Sequence, residues 1–343
     1  MRILPLRSVN FKLTLLTLMH LATDGLCSYI VFTSLYPQNP GYALAIFFAY
    51  NILAFLTQSP IGMLIDKYNK PKAFLAVSIC AMVVGYLFSG FWVVSVTLVG
   101  ISNSLFHVAG GKYVTDKSGN DISHLGIFVS TGAIGLCIGQ RYTSLACLPY
   151  IFFAVLVVCG LVFILSEQEE SKSFAQEYES SDGVKIAFVA VLLVVLIRSF
   201  VGKAVKSDFA LIEHEFLLIA IATALGKASG GILSKILGIK ETTIVSMTVA
   251  ALCLTLGTGN VYTFVLGVFA FNFSMPVTLY FANILLKGKE GFAFGTLAAT
   301  LAPGYFLAMS TNYSSVMRIL TAVMCVLSMI TIIIVSKKVN CVD

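Results

Sequence analysis

Charge is scarce in this chain. Acidic and basic residues together make up 11% of its 343 positions, less than half the roughly 25% of an ordinary soluble domain. A globule of this length needs a polar coat that such a composition cannot supply, which excludes a water-soluble fold and leaves lipid as the solvent for much of the surface. Eight cysteines are present, but with no CxxC pair and no Cys/His metal spacing. Most lie inside apolar runs, where a free thiol behaves as a small hydrophobe, so neither a disulfide framework nor a structural zinc site is expected. The formal charge of +6 forms no continuous basic face and no aromatic-interleaved patch, which removes nucleic acid as a partner. A phosphate-cradling Gly-rich loop with Lys, an HExxH and a carboxylate pair within one span are all missing. Neither an enzyme nor a cofactor is therefore expected, and any uphill work must draw on an ion or solute gradient.

What the chain has in quantity is long apolar runs. A ruler of about 20 apolar residues per spanning helix yields twelve: 11–35, 42–65, 72–89, 91–111, 122–140, 146–165, 184–203, 212–237, 242–257, 261–286, 291–309 and 315–336. The breaks carry turn chemistry, as in Tyr36-Pro37-Gln38-Asn39-Pro40 and Gly257-Thr258-Gly259-Asn260. With a cytoplasmic N-terminus and alternating spans, sixteen Lys and Arg fall on the inner side against four on the outer, as the positive-inside rule requires. An odd number of spans would scramble that segregation. The expected product is a multi-pass plasma-membrane protein with both termini cytoplasmic, surrounded by lipid and working as a monomer.

The long polar stretch 166–183, rich in Glu and Ser, reads as a cytoplasmic linker between an N-terminal bundle, 1–165, and a C-terminal bundle, 184–343. A weak repeat supports this division. Gly62-Met63-Leu64 ends the second span and Gly231-Ile232-Leu233 the eighth, 169 residues later, and Asn69 and Gly238 correspond at the same offset. The expected fold is all-α: twelve transmembrane helices in two pseudo-symmetric six-helix bundles, with a solute site at the interface of the repeats.

Between the second and third spans lies Gly62-Met63-Leu64-Ile65-Asp66-Lys67-Tyr68-Asn69-Lys70-Pro71-Lys72. Gly62 permits close helix approach in lipid, Asp66 can accept from the N-terminus of a neighbouring helix, and Asn69 tolerates a left-handed turn. The segment resembles the loop signature of the major facilitator superfamily: Gly, any, Leu, any, Asp, basic, any, Gly, basic, basic. Asn69 stands in place of the second Gly, and Pro71 interrupts the basic pair. The resemblance implies the fold given above and a gating latch at Gly62, Asp66, Lys67, Lys70 and Lys112; the plainer reading is a charged turn that fixes topology. Two further stretches, His20-Leu21-Ala22-Thr23-Asp24 and Phe106-His107-Val108-Ala109-Gly110-Gly111-Lys112, resemble the fosmidomycin-resistance branch, although Val108 and Ala109 replace that branch's Pro and Glu. In the fifth span, Gly132, Gly135 and Gly139 suggest close helix packing.

A charge at bilayer depth costs at least about 2.5 kcal/mol and therefore faces a cavity or a partner. Thr17, His20, Asp24 and Ser28 form one polar stripe on the first span. Asp24, with His20 beside it, is the candidate for proton coupling, against the reading of a structural helix–helix hydrogen bond. Arg198 in the seventh span and Lys227 in the eighth are candidate substrate-binding cations; Arg198 can bind an anionic group, pair with Asp24 or snorkel outward. Asn51, Asn103, His107 and Asn272 complete the candidate substrate-binding set, each also compatible with a plain interhelical hydrogen bond. The combined expectation is a secondary active transporter working by alternating access, exporting a small organic solute or drug in exchange for protons, with the two basic residues in the spans favouring an anionic one. The alternatives are an importer of an organic anion such as a sugar phosphate or carboxylate, and a membrane receptor or scaffold that transports nothing.

Overall fold

Apolar runs of 17 to 30 residues become helices because in hydrocarbon every backbone N–H and C=O must be satisfied within its own segment. The computed structural model describes residues 9–166, 181–205, 213–311 and 315–339. Most of the linker 166–183 lies outside them. Eleven helices among the described residues are long and apolar enough to cross a membrane: α1 (Val9–Gln38), α2 (Pro40–Tyr68), α4 (Trp92–Ser118), α5 (Ile122–Arg141), α6 (Leu148–Leu165), α7 (Asp182–Ala204), α8 (His214–Leu237), α9 (Ile239–Leu256), α10 (Val261–Leu285), α11 (Glu290–Met309) and α12 (Val316–Val339). A shorter apolar helix, α3 (Pro71–Leu87), completes the twelve.

The helices match the apolar runs within a few residues except at the end of α4, which continues to Ser118 rather than stopping near residue 111. Hydropathy drops there because Lys112 and Asp116 enter, yet Lys112 is 5% exposed, held inside by carboxylates. α5 is interrupted at Val129–Thr131 and α10 at Asn272–Phe273. At the second interruption the Asn272 side-chain amide donates to Val268 O at 2.8 Å, a carbonyl that also accepts from Asn272 N at 3.3 Å.

The chain divides into two compact units. Unit 1 takes in Met1–Gly119, Thr131–Phe174 and Lys289–Thr296; unit 2 takes in Asn120–Ser130, Ala175–Gly288 and Leu297–Asp343. The interruption of α5 falls where the chain passes from one unit to the other. In unit 1, α1 packs against the second half of α5, and against α6 and α4, while α3 packs on α4. In unit 2, α9 packs on α12 and α10, and α8 on α10 and the first half of α5.

Glycine sets the closest of these contacts. A Cβ on Gly135 would stand 2.0 Å from Leu21 O, and one on Gly139 would stand 2.1 Å from Gly25 O. α1 and α5 therefore touch backbone to backbone, the packing that small residues allow in lipid.

The internal repeat extends well beyond the positions visible in the sequence. Asn69 (φ 48°) and Gly238 (φ 97°) are both left-handed, and so, at the same offset of 169, are Gly119 (φ 67°) and Gly288 (φ 83°). A Cβ on Gly62 would meet Gly291 O at 2.2 Å, and one on Gly231 would meet Ile122 O at 2.5 Å. Likewise Gly295 lies against Gln58 O and Gly126 against Lys227 O. Every one of these residues is 169 positions from its counterpart.

Candidate functional site

Three polar assemblies are set among the helices. The first gathers around the start of α11. Asp66, at the end of α2, accepts hydrogen bonds from Gly291 N and Phe292 N, both at 2.8 Å, covering two donors that a helix N-terminus leaves without intrahelical partners. The carboxylate also meets the positive end of the helix dipole. Gly62, one turn earlier, lets α2 come close enough for this. Lys112 reaches Asp66, Asp116 and Glu290, each at 3.3 Å.

Of the five residues expected to form a latch, the structure therefore joins Gly62, Asp66 and Lys112. Lys67 and Lys70 are exposed, and Lys67 Nζ lies 5.8 Å from the Tyr68 ring centre. Asp116 and Glu290 were missed in the sequence; the i,i+4 spacing of Lys112 and Asp116 was the available signal for the first. Asp66→Ala should lower stability by about 1–2 kcal/mol, the range for a lost cap at a helix N-terminus, seen as a lower unfolding temperature of the detergent-solubilised protein.

The repeat supplies a counterpart in unit 2 with the charge inverted. Lys235 stands where Asp66 does and pairs with Asp121 at 2.5 Å. Asp121 in turn caps α5 through Ser123 N at 2.9 Å, and His124 Nδ1 lies 3.6 Å from it. Burial acts to raise the Asp121 carboxyl, but Lys235, the Ser123 donors and His124 outweigh it and hold the group down to about 2. A depressed folded value means that its stabilisation is complete above the unfolded value near 3.8 and is lost as pH falls through about 2. Asp121→Asn should therefore flatten the acid limb of a stability–pH curve between about pH 4 and 2 and leave the rest of its shape unchanged, as a thermal-unfolding series across pH would measure.

The second assembly lies in unit 1. On α1, His20 Nε2 is 3.3 Å from Asp24 Oδ2. From α4, His107 Nε2 approaches His20 Nε2 at 2.9 Å and Asp24 Oδ1 at 3.5 Å. Asn103, one turn from His107, donates to Asp24 Oδ1 at 3.1 Å, and His107 Nδ1 meets Asn103 O at 2.9 Å. The sequence pairs His20 with Asp24, and Asn103 with His107. The structure unites both pairs in one cluster.

The third assembly is a cavity of 710 Å³ in unit 2, lined by Arg198, Lys203, Lys227 and Asn272 among apolar walls that include Phe216, Phe264, Phe271 and Tyr305. Lys203 Nζ stands 5.0 Å from the Tyr305 ring centre. Arg198 makes no ion pair among the described residues, and its buried Nη1 has no hydrogen-bond partner there. Asp24 takes its hydrogen bonds and ion pairs from His20, His107 and Asn103. The predicted substrate-binding residues thus separate: Arg198, Lys227 and Asn272 share this cavity, Asn103 and His107 join the first helix, and Asn51 belongs to neither. Its amide donates to Phe47 O on its own helix at 2.8 Å.

Twelve apolar helices, a duplicated half and polar clusters enclosed among the helices define a polytopic membrane protein with the major facilitator fold. Solved transporters share that fold along nearly the whole chain. The human organic anion transporter MFSD10 is similar at 14% identity with a TM-score of 0.70, covering 97% of this chain and 100% of that one. The E. coli fucose:proton symporter FucP is similar at 13% identity and TM-score 0.67, covering 96% and 99%. A bacterial homologue of the iron transporter ferroportin, in an outward-facing state with soaked iron, is similar at 16% identity and TM-score 0.65, covering 96% and 99%. No protein-family model matches the chain, and no curated protein matches it.

Proposed function

We propose that this protein is a secondary active transporter of a small organic anion with an apolar body, held in the unit 2 cavity and driven by a cation held at the His20–Asp24–His107 cluster. One observation carries the reading: a guanidinium nitrogen of Arg198 is buried at the cavity without a hydrogen-bond partner among the described residues. A permanent cation in so apolar a place is costly until an anion reaches it, and the planar fork of guanidinium suits carboxylate and phosphate oxygens. Lys227 and Asn272 add a second charge and an amide, and the aromatic walls favour a ligand with an apolar or aromatic body. MFSD10, one of the proteins of like fold, is described as an organic anion transporter, in keeping with this substrate class.

Alternating access then assigns the Asp66–Lys112–Glu290 cluster a gating role: contacts among α2, α4 and α11 must part and re-form in each cycle. Export is the direction implied by the resemblance to the fosmidomycin-resistance branch. The test is flux. Purified protein in proteoliposomes should move radiolabelled aromatic carboxylates or phosphonates, with neutral analogues of the same size left behind. Equal handling of charged and neutral analogues would remove the anion assignment, and no flux of either would remove the transporter reading.

A further inference from the structure

We infer that His20, Asp24 and His107 form a binding site for one divalent transition-metal ion of the zinc, cobalt or manganese type. The inference takes the cation assigned to this cluster above and names its chemical class. Three observations point to a metal rather than to a packed polar contact. The first is the donor set. Two imidazole nitrogens and a carboxylate oxygen converge so that one donor atom from each lies within 4.8 Å of the others. Two histidines and one carboxylate are a ligand set of zinc and of other first-row divalent ions, and it leaves a coordination position open.

The second is the outer shell. His107 Nδ1 faces a backbone carbonyl, Asn103 O, at 2.9 Å, so that nitrogen carries the ring hydrogen and the lone pair sits on Nε2, which faces the cluster. Asn103 Nδ2 holds Asp24 Oδ1 and fixes the rotation of the carboxylate. A ligating histidine whose other nitrogen is tied to a carbonyl, beside a carboxylate that is itself hydrogen-bonded, is the supporting shell found around protein metal centres.

The third is space. A Cβ on Gly132 would fall 2.2 Å from Asp24 Oδ2 and 2.5 Å from His20 Nε2. Any other residue would push a side chain onto these two ligand atoms, and the glycine is contributed by α5, a helix that provides no ligand. The side chains of Asp24 and His107 are each 16% exposed, against 5% for His20, so the pocket is reached from the Asp24–His107 side. The two Nε2 atoms, now 2.9 Å apart, would separate to about 3.3 Å across a tetrahedral ion with metal–nitrogen bonds near 2.05 Å, a ring movement of a few tenths of an ångström.

The test uses full-length protein purified on a tag without histidine, stripped with chelator, and loaded with Zn²⁺ or Co²⁺ alone. We expect one equivalent of zinc per chain by elemental analysis, and visible d–d bands from the cobalt form. Both are expected to disappear in His107→Gln and in Asp24→Asn. Asn103→Ala keeps all three ligands and the backbone carbonyl, and should bind 10- to 100-fold more weakly, the usual consequence of losing an outer-shell partner. His214→Gln, at an exposed histidine outside the cluster, should bind as the wild type does. Each variant is compared at equal monodispersity on gel filtration, so that misfolding is not scored as lost binding. The proposal is overturned if the wild type retains no more zinc than His107→Gln, or if His214→Gln loses as much as the ligand variants. Because binding is read without transport, failure of the anion flux assay would leave this result standing, and the reverse holds equally.

Discussion

Arg198→Leu is expected to lower affinity for an organic anion by about 30-fold or more. Removing one partner of a buried charge pair costs about 2–5 kcal/mol, and every 1.4 kcal/mol is a factor of ten. Leucine keeps the apolar wall and the helix propensity, so α7 should fold and the loss should appear in binding alone. Arg198→Lys separates charge from geometry. If the planar fork matters, lysine recovers part of the affinity; if only the charge matters, it recovers nearly all of it. Isothermal titration of the purified protein with an aromatic carboxylate measures all three. Unchanged affinity in Arg198→Leu would place the anion elsewhere.

The second large effect concerns the contact of α1 with α5. Gly135→Val puts a branched side chain where even a single carbon would come 2.0 Å from Leu21 O. No rotamer relieves this, because the obstructing atoms are backbone on both sides. Overpacking in a well-packed core costs typically 1–3 kcal/mol, and a clash that must push two helices apart belongs at or above the upper end. The expected result is loss of monodisperse protein in detergent, or an unfolding temperature well below that of the wild type. Gly41→Val, at a position where an added Cβ meets nothing within 4 Å, is the matched control and should behave normally. Since α1 carries His20 and Asp24, a milder Gly135→Ala should also disturb the polar cluster before the fold is lost.

The fold could be read from the sequence because its main determinant is local. Each apolar run satisfies its own backbone in lipid, so length and hydropathy alone define where helices begin and end. The end of α4 departs from this because Lys112 is kept inside by Asp66 and Glu290, which are remote in sequence. Asn69 was legible for a different reason: its place in the motif demanded a left-handed residue, and it has φ 48°. The polar assemblies were legible only in part. An i,i+4 step on one helix brings out His20 with Asp24 and Asn103 with His107, but nothing in the sequence says which face of α4 turns toward α1. The same limit left Glu290 unnoticed and grouped Asn51 with residues it does not join. Arg198 and Lys227 stood out because charge inside an apolar run is expensive, and that expense is visible without a structure.

The opposite charges at Asp66 and Lys235 have a consequence for how far the two copies of the repeat can stand in for each other. A chain built from the first copy twice would set an aspartate in place of Lys235 against Asp121, carboxylate facing carboxylate. A chain built from the second copy twice would instead bring a lysine at position 66 to Glu290, a match of opposite sign. The exchange is thus tolerated in one direction only: the lysine of the second copy suits both places, and the aspartate of the first suits only its own. Lys235→Asp alone should reproduce the mismatch, and adding Asp121→Asn, which keeps an N-cap for α5 without the charge, should relieve it.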